Sequence, residues 1–486
     1  MARRTVFRLL VAFTLVWAGW AGWSLIGRSY PYELRVLDDL GDPIVSAVVD
    51  VGGSQVGTTG SDGHVDMVWS GSEVLEVSAP GHVPQTVTLS DRPLDHFDVV
   101  LKARVLRGRV VDVEGDAIGG ATIDAGAGGA VSDAEGYFQI RGAEEGMVSV
   151  SRPAWLPASF RWDGETGDAL VEMEPFTARA VHIEGEAVRD AWDRYVEMAM
   201  DTELNAVMID LKDETGQVWY DTENATAVEI GADAAAYDLE AAAAQAHDLD
   251  LYVIGRIVLF NDPIAAVRLP EIAVWDTATN APYHANGQYF LDPTDPAARQ
   301  YGLDLALEAC GAGVDEIQFD YVRFPDKRSE SAQFDGGVGP EVRLSTITNF
   351  LVEAVAQLHP QGCAVAADIF GYLTTATDDG GIGQRWEDVA GVVDVVSPML
   401  YPSHYDPGWY GFEVPNQNPG EMIDLALQDG MERLPRNVVV RPWLQDFGYG
   451  ESQVREQIAS AEGYGLGWML WNAESNVTVG ALDPAP

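Results

Sequence analysis

From residue 178 onward, apolar segments of strand length alternate with helical segments, and this pattern constrains the fold more than any other feature. Strands that alternate with helices are typical of a parallel sheet, because each helix returns the chain to the start of the next strand. Eight such strands within about 300 residues predict a closed (β/α)8 barrel. The predicted strands are 178–183, 206–211, 251–260, 314–324, 364–371, 392–401, 438–445 and 465–471. The predicted helices are 189–200, 238–248, 297–309, 343–358, 419–432 and 451–463.

An open, doubly wound sheet is the competing α/β architecture. Such a sheet normally has a glycine-rich phosphate-binding turn after its first strand. The corresponding segment here is Ile183-Glu184-Gly185-Glu186, which lacks that glycine pattern. The sequence therefore favours a barrel domain over residues 177–486.

Residues 31–103 and 104–176 have the pattern of two copies of one all-β module. Gly41-Asp42 matches Gly115-Asp116, and Ser61-Asp62-Gly63 matches the segment from Ser132 to Gly136. Short alternating strands separated by Gly and Asp turns are typical of a small β-sandwich. We predict two sandwich modules that act as a spacer before the barrel, since neither copy contains a candidate catalytic set.

The first 30 residues have the pattern of a signal anchor. Arg3, Arg4 and Arg8 precede an uncharged run from Leu9 to Ile26, and this run is about as long as the shortest membrane-spanning helices. Basic residues at its start predict that this end is cytoplasmic and that the bulk of the chain lies outside the cell membrane as a single-pass protein. Secretion after cleavage at Ala21 remains the alternative.

The formal net charge of −47 limits the partners of the chain. Lysine occurs only at Lys102, Lys212 and Lys327. Nucleic-acid binding needs clustered cations, so we expect no nucleic-acid partner. Acidic charge spread along the whole chain is compatible with a salt-rich habitat, where ions screen self-repulsion, and also with an ordinary acidic secreted protein.

The chain has two cysteines, Cys310 and Cys363. They precede predicted strands four and five, so both are expected at the bottom of the barrel on neighbouring βα units. An oxidising exterior permits a disulfide between them. Two cysteines are too few for a structural zinc site, and we predict no metal.

Carboxylates at the ends of the predicted strands are the candidate catalytic residues, because barrel active sites lie at the carboxyl ends of the strands. Asp320, which ends strand four, is the first candidate, and Asp368 on the next strand is its expected partner. Asp210 and Glu474 are further candidates. Two carboxyl groups across one bond are the usual machinery of glycoside hydrolysis.

Arginines, amides and aromatic rings at the same strand ends suit a carbohydrate, since rings offer apolar faces and guanidinium groups bind hydroxyls or sugar acids. The sequence has no H-E-x-x-H pair, no G-x-S-x-G turn and no P-loop, which argues against three other enzyme classes. The candidate substrate-binding residues are Arg256, Arg323, Tyr401, Trp443, Trp471 and Asn472.

Several of these segments resemble known families. The repeated motif, V-x-D-x-x-G followed by Ser-Asp and a glycine one or three residues after that aspartate, resembles carboxypeptidase regulatory-like (transthyretin-like) modules. The segments at 207–216, 255–262, 319–326, 367–372, 396–405, 441–447 and 467–473 resemble a bacterial family of glycosyl-hydrolase-like barrel domains, formerly a domain of unknown function. The second resemblance implies a hydrolase-like barrel and does not name a sugar.

The sequence thus predicts an extracytoplasmic glycoside hydrolase that acts on a polysaccharide or cell-envelope glycan. The alternative is a non-catalytic glycan-binding barrel that serves as an envelope scaffold, and a third possibility is a stalk whose tip is the barrel. We expect no cofactor, and Ca²⁺ near the acidic loops is compatible with the sequence. The sugar, the linkage and the oligomeric state stay open.

Overall fold

The computed structural model describes residues 30–486 apart from residue 70, residues 92–95, residue 127, residue 166 and residues 435–436. The described chain forms two compact units, one extending to residue 151 with 157–173, the other comprising 152–156 and 174–486. The predicted signal anchor lies outside the described residues except for its last residue, Tyr30. Over the described ranges, no helix combines the length and the hydropathy that crossing a bilayer requires.

The first unit is built from short strands in four sheets, and the burial alternates along the strands as a half-buried sheet requires. Leu34, Val49, Leu75 and Leu101 belong to one buried cluster that joins two of these sheets. The strands are Tyr30–Asp38, Val48–Val51, Ser54–Thr58, His64–Trp69, Glu73–Ser78, His82–Val83, Gln85–Leu89, His96–Ala103, Val105–Val111, Thr122–Asp124, Gly129–Val131, Tyr137–Arg141, Gly146–Ser151, Ala158–Trp162 and Asp168–Glu172.

The two halves of this unit repeat the same local structure. In each half the first strand pairs antiparallel with one strand and parallel with the last strand. The buried hydroxyl of Thr59 donates to the carbonyl of Ile44 at 2.6 Å, and that of Ser132 donates to the carbonyl of Ile118 at 2.8 Å. The repeat seen in the sequence therefore corresponds to repeated pairing and repeated side-chain hydrogen bonds. The boundary between two separate modules stays a prediction.

The second unit contains a closed parallel barrel, since its first strand pairs with both the second and the last. We number its strands β1 to β8. They are β1 Arg179–Ile183, β2 Ala206–Lys212, β3 Tyr252–Val258, β4 Glu316–Asp320, β5 Ala364–Phe370, β6 Val395–Leu400, β7 in two segments, Val439–Val440 and Trp443–Gln445, and β8 Trp468–Trp471. The predicted C-terminal (β/α)8 barrel is confirmed.

Helices surround the barrel, and several begin at an aspartate or asparagine whose side chain accepts a backbone N–H, as N-cap residues do. The α-helices are Gly185–Asp201, Ala225–Ile230, Leu239–His247, Pro263–Arg268, Pro296–Gly311, Pro340–Leu358, Trp386–Ala390, Pro419–Met431 and Glu451–Gly463. Three of them, Ala225–Ile230, Pro263–Arg268 and Trp386–Ala390, were missed by the periodicity, because five or six residues are too few to show it.

Further two- and three-residue strands lie in the connections. They are Val218–Tyr220, Trp275–Asp276, Ala281–Pro282, His284–Ala285, Gln288–Tyr289 and Ala332–Gln333, and one longer strand, Asp233–Tyr237, also extends the barrel sheet. Strand β4 is shorter than the predicted 314–324, because the chain turns at Tyr321, whose φ is 51°.

Side chains alternate between the inside of the barrel and the surrounding helices. Met208, Ile254, Trp443 and Met469 form an inner cluster, while their sequence neighbours belong to the larger outer core. Asp320 follows the same alternation from Glu316 through Gln318, so these three polar residues share one face of β4. The alternation therefore brings polar residues on several strands to a common interior.

A disulfide joins Cys310 to Cys363, with 6.0 Å between their Cα atoms. Cys310 lies in the last turn of Pro296–Gly311, and Cys363 immediately precedes β5. The bond therefore links two neighbouring βα units at the end of the barrel opposite to the carboxyl ends of the strands.

Candidate active site

A cavity of about 410 Å³ opens at the carboxyl ends of the barrel strands. It is large enough for a small-molecule ligand or part of a polymer. Charged, aromatic and hydroxyl groups line it together. The lining residues are Glu214, Arg256, Asp320, Tyr321, Arg323, Asp368, Phe370, Gly371, Tyr372, Met399, Tyr401, His404, Tyr405, Trp443 and Trp471.

Arg256 of β3 is the centre of a buried charge network. Its Nη1 donates to Asp210 Oδ1 at 2.8 Å, its Nη2 donates to Asp320 Oδ2 at 2.6 Å, and Nη2 also donates to Glu214. The guanidinium carbon lies 4.7 Å from the centroid of the Trp471 ring. Burial opposes the charge of Arg256, but Glu214 and the two aspartates outweigh it and raise its pKa well above the ordinary value. One arginine thus holds three carboxylates in fixed positions.

Asp320 ends β4 and is surrounded by hydrogen-bond donors. The backbone N–H of Tyr321 donates to its Oδ1 at 2.7 Å, and Arg256 donates to its Oδ2. The residue is buried but lines the cavity. The positive φ of Tyr321, unusual for an aromatic residue, directs the chain away from the strand immediately after Asp320. These contacts suit a carboxylate that carries negative charge during a reaction.

Asp368 of β5 lies on the strand next to Asp320 and lines the same cavity. Burial raises the pKa of Asp368 well above its ordinary value, and the negative charge of Asp320 raises it further. Gln318 and Trp443 both donate to its Oδ1, the latter at 2.7 Å. Two carboxyl groups in one cavity thus have contrasting environments, and Asp368 is the one favoured as a proton donor.

Asp210 lies beneath the cavity rather than on its surface. His182 Nε2 is 3.0 Å from its Oδ2, and His182 Nδ1 is 2.8 Å from the carbonyl oxygen of Asn472. Burial would raise the pKa of Asp210, but His182 and Arg256 more than offset it and lower that pKa. Asp210 therefore orients Arg256 and does not itself line the cavity.

Aromatic side chains form much of the wall. Trp443 and Trp471 lie edge to face with 5.4 Å between their ring centroids, and Trp471 stacks on His182 at 4.2 Å. Burial raises the pKa of Tyr401 well above its ordinary value, so its hydroxyl stays protonated, and the charge of Asp320 acts in the same direction. Flat apolar faces beside polar groups are the usual surface for a sugar ring.

The structure brings most of the predicted site residues to one cavity. The lining includes Asp320, Asp368, Arg256, Arg323, Tyr401, Trp443 and Trp471. Glu474 is exposed, bonds to Asn476 at 3.1 Å and does not line this cavity. Asn472 supports the β7–β8 side instead, since its amide donates to the carbonyl of Asp446 at 2.6 Å.

Among the other lining residues, Tyr321, Tyr372 and His404 were not predicted from the sequence, and neither were Gln318 and His182, which bond to site aspartates. Gln318 could have been found by the alternation, because it lies two residues before Asp320 and so faces the same interior. His182 is the last residue but one of β1, and a histidine inside an apolar strand gives no local signal that it faces the interior. Tyr372 and His404 follow β5 and β6 in short 3₁₀ turns, where no sequence periodicity indicates their direction.

Over the described ranges, no group of three or more His, Cys, Asp or Glu side chains is arranged to hold a metal ion. The three carboxylates around Arg256 are instead bound to its guanidinium group.

The family model described as "Putative glycosyl hydrolase domain" matches residues 180–477. The chain belongs to this family. The match contains every strand of the barrel after the first residue of β1, and it includes both aspartates of the cavity. No curated protein matches the chain.

Solved structures similar to this glycosyl hydrolase family member include a hypothetical protein from Ruminiclostridium thermocellum, with 34% identity over 39% of this chain and 96% of that one, at a TM-score of 0.35. The PgaB (BpsB) glycoside hydrolase domain from Bordetella bronchiseptica has 12% identity over 62% and 95% of the two chains, at 0.44. The glycoside hydrolase domain of PelA from Pseudomonas aeruginosa has 12% identity over 62% and 96%, at 0.38.

Proposed function

We propose that the barrel hydrolyses a glycosidic bond with Asp320 and Asp368. The observation that carries this proposal is the pair of carboxyl groups on adjacent strands in one cavity. Burial disfavours the ionised form of Asp368, whereas donors surround Asp320. Pairs of acids with contrasting environments are typical of acid–base enzymes, and the family assignment agrees with this chemistry.

In the proposed reaction, Asp368 donates its proton to the glycosidic oxygen as the bond between that oxygen and the anomeric carbon breaks. Asp320 acts either as the nucleophile or as the base that takes a proton from the attacking water. In the first case the Asp320 carboxylate bonds to the anomeric carbon as the leaving oxygen departs, and water then displaces it while the ionised Asp368 takes the proton of that water. In the second case water attacks directly and its proton goes to Asp320. In both cases the hydroxyl group of the water ends on the anomeric carbon. Arg256 holds Asp320 in position, and the rings of Trp443 and Trp471 are the proposed platform for the sugar.

We further propose that the substrate is an extracellular polysaccharide or a cell-envelope glycan. The basic and then uncharged residues at the start of the sequence support an extracytoplasmic, membrane-anchored chain. The disulfide between Cys310 and Cys363 supports an oxidising compartment. Protease treatment of intact cells tests this placement, since an exported chain is degraded while cytoplasmic proteins survive.

The function is tested by incubating the purified full chain with a library of polysaccharides and envelope glycans and measuring new reducing ends. We expect at least one glycan to be cleaved, and we expect Asp320→Asn to abolish the cleavage. Glu474→Gln is the matched control, because Glu474 is an exposed carboxylate outside the cavity. It should leave the rate unchanged.

Full activity in a folded Asp320→Asn variant would contradict the assignment of Asp320. Glycan binding without any new reducing ends would favour the alternative, a glycan-binding scaffold in the cell envelope. Circular dichroism and a thermal melt of each variant separate a loss of chemistry from a loss of fold.

A further inference from the structure

Arg323 is a buried arginine of the cavity whose positive charge has no carboxylate in direct contact. It lines the cavity, and its side chain is only 5% exposed. Among the described residues, its one hydrogen bond runs from Nη1 to the carbonyl of Phe324 at 3.1 Å. Its nearest carboxylate oxygen, Oδ1 of Asp326, is 3.7 Å away on a side chain that is 38% exposed. A buried charge without a close partner is costly.

The charge of Arg256 in the same cavity is fully neutralised, because three carboxylates bind it directly. Arg323 is instead surrounded by rings. Its guanidinium carbon lies 4.7 Å from the centroids of both Tyr321 and Phe370 and 5.6 Å from that of Phe290. Ring faces offset part of the burial cost but leave the positive charge in place. The cavity therefore has an acidic side at Arg256 and a cationic, aromatic side at Arg323.

We propose that Arg323 binds a carboxylate carried by the substrate, so that the cavity takes an acidic glycan. The planar guanidinium group matches a carboxylate through two parallel hydrogen bonds, and no described hydrogen bond uses its Nε or Nη2. Burial lowers the pKa of Arg323, which agrees with a cation whose partner is missing from the protein. This inference rests on the proposed function, because it names the substrate class of the same site.

The overall charge restricts the kind of acidic glycan. A net charge of −47 repels a dense polyanion over the range of electrostatic screening, about 8 to 10 Å at ordinary salt. One buried arginine, by contrast, acts on a single group at contact distance, where the low dielectric strengthens its attraction. Arg323 therefore fits a sugar acid within a chain of lower charge density better than it fits a continuous run of anionic sugars.

The test begins with an array of uronic-acid-containing, sialylated, sulfated and neutral glycans. The probe is the full chain with Asp368→Asn, which removes the proposed proton donor and so prevents turnover. The strongest carboxylated ligand is then titrated beside its carboxyl-reduced, neutral form. We expect carboxylated glycans to bind most strongly and carboxyl reduction to weaken binding roughly tenfold or more.

Variants of Arg323 locate the effect. Arg323→Gln should lose the preference for the carboxylated form, and Arg323→Lys should keep part of it, because lysine keeps the charge but not the planar fork. Arg455→Gln is the matched control, since it removes one positive charge at an exposed ion pair with Asp483 outside the cavity. The comparison of acidic and reduced ligands on the Asp368→Asn chain needs no change at Arg323, so it stands even if an Arg323 variant fails to fold.

Strongest binding to neutral or sulfated glycans, binding to no glycan on the array, or an unchanged preference in folded Arg323→Gln would each overturn the inference. Failure of the proposed hydrolysis has a different signature. In that case carboxylated glycans bind through Arg323, but the wild-type chain releases no reducing ends from them.

Discussion

Two buried arginines in this barrel meet carboxylates in contrasting ways. Arg441 forms a one-to-one pair with Glu316, with distances of 2.6 and 3.1 Å, and both side chains are fully buried. Arg256 binds three carboxylates, and this cluster of charged side chains borders the cavity. The Arg441–Glu316 pair, the sealed pair, is neutral overall and exposes no group to a ligand. The cluster around Arg256, the open cluster, has three carboxylates and one cation, so it has carboxylates that the arginine does not fully neutralise.

The two groups of charges lie at different heights along the barrel axis. Glu316 begins β4 and Asp320 ends it, and both face the interior. We therefore assign a structural role to the lower pair, and under the proposed function the upper cluster contains the reacting groups. We expect variants of the upper cluster to change the activity and variants of the lower pair to change the free energy of unfolding.

Apart from the loss expected for Asp320→Asn, the largest expected effect is on activity, at Asp368. Asp368→Asn removes the proposed proton donor, and kcat should fall about 10²–10⁴-fold. The free energy of unfolding at neutral pH should change little, because a neutral amide replaces a carboxyl group whose ionisation burial already disfavours. Kinetics on a glycan identified in the library screen, with urea unfolding of the same sample, measures both. A large loss of stability with activity retained would reverse the roles assigned to the two levels.

The next largest effect is on stability, at Glu316. Glu316→Gln leaves Arg441 as a buried charge without its carboxylate, and this should lower the free energy of unfolding by about 3–5 kcal/mol. The activity per folded molecule should stay at the wild-type level. Urea unfolding measures the loss, and active-site titration with a bound inhibitor corrects for unfolded protein.

A double variant controls this prediction. Glu316→Met with Arg441→Met removes both charges and should recover most of the stability, since apolar side chains of similar size can replace a buried ion pair. If the double variant is as unstable as the single one, the cost comes from packing rather than from the unpaired charge.

The pH dependence of stability gives a smaller effect with a definite sign. Because the pKa of Asp368 is raised in the folded state, folding favours its proton, and this contribution is fully present below the ordinary aspartate pKa. It is lost as pH rises from about pH 4 through the raised pKa. Urea unfolding from pH 4 to pH 9 should therefore show a decline with pH that Asp368→Asn reduces. A steeper decline in the variant would contradict the raised pKa.

The barrel could be predicted from the sequence, because its strands are long apolar runs separated by helices and eight of them permit few other architectures. The strand ends then gave Asp320 and Asp368 directly, since parallel strands direct their carboxyl ends to one side. Three short helices were missed because they show no full period.

The partners of the site residues were harder to predict. Asp210 and Asp320 lie near the ends of two barrel strands in similar contexts, yet only Asp320 lines the cavity, whereas Asp210 is bound to Arg256 and His182 away from its lining. Glu474 follows β8 by three residues, and the turn after that strand takes it to the surface. Such differences depend on loop geometry and on pairing between distant strands, neither of which appears in local sequence patterns.

The smallest effect we predict separates positioning from structure at His182. This residue fixes Asp210 through Nε2 at 3.0 Å and stacks on Trp471 at 4.2 Å. His182→Phe keeps a ring but loses the hydrogen bonds, so Asp210 can shift and carry Arg256 with it.

We expect kcat of His182→Phe to fall roughly tenfold, which is about 1.4 kcal/mol in the activation free energy, with a smaller change in KM. His182→Gln can still donate to Asp210 and should recover part of the rate, whereas a purely structural role would make Gln the worse replacement, because it loses the stacked ring. The contradicting outcome is a Gln variant that is slower than the Phe variant although both have the same free energy of unfolding. In that case the role of His182 is structural, like that of Glu316, and it does not position the cluster around Arg256.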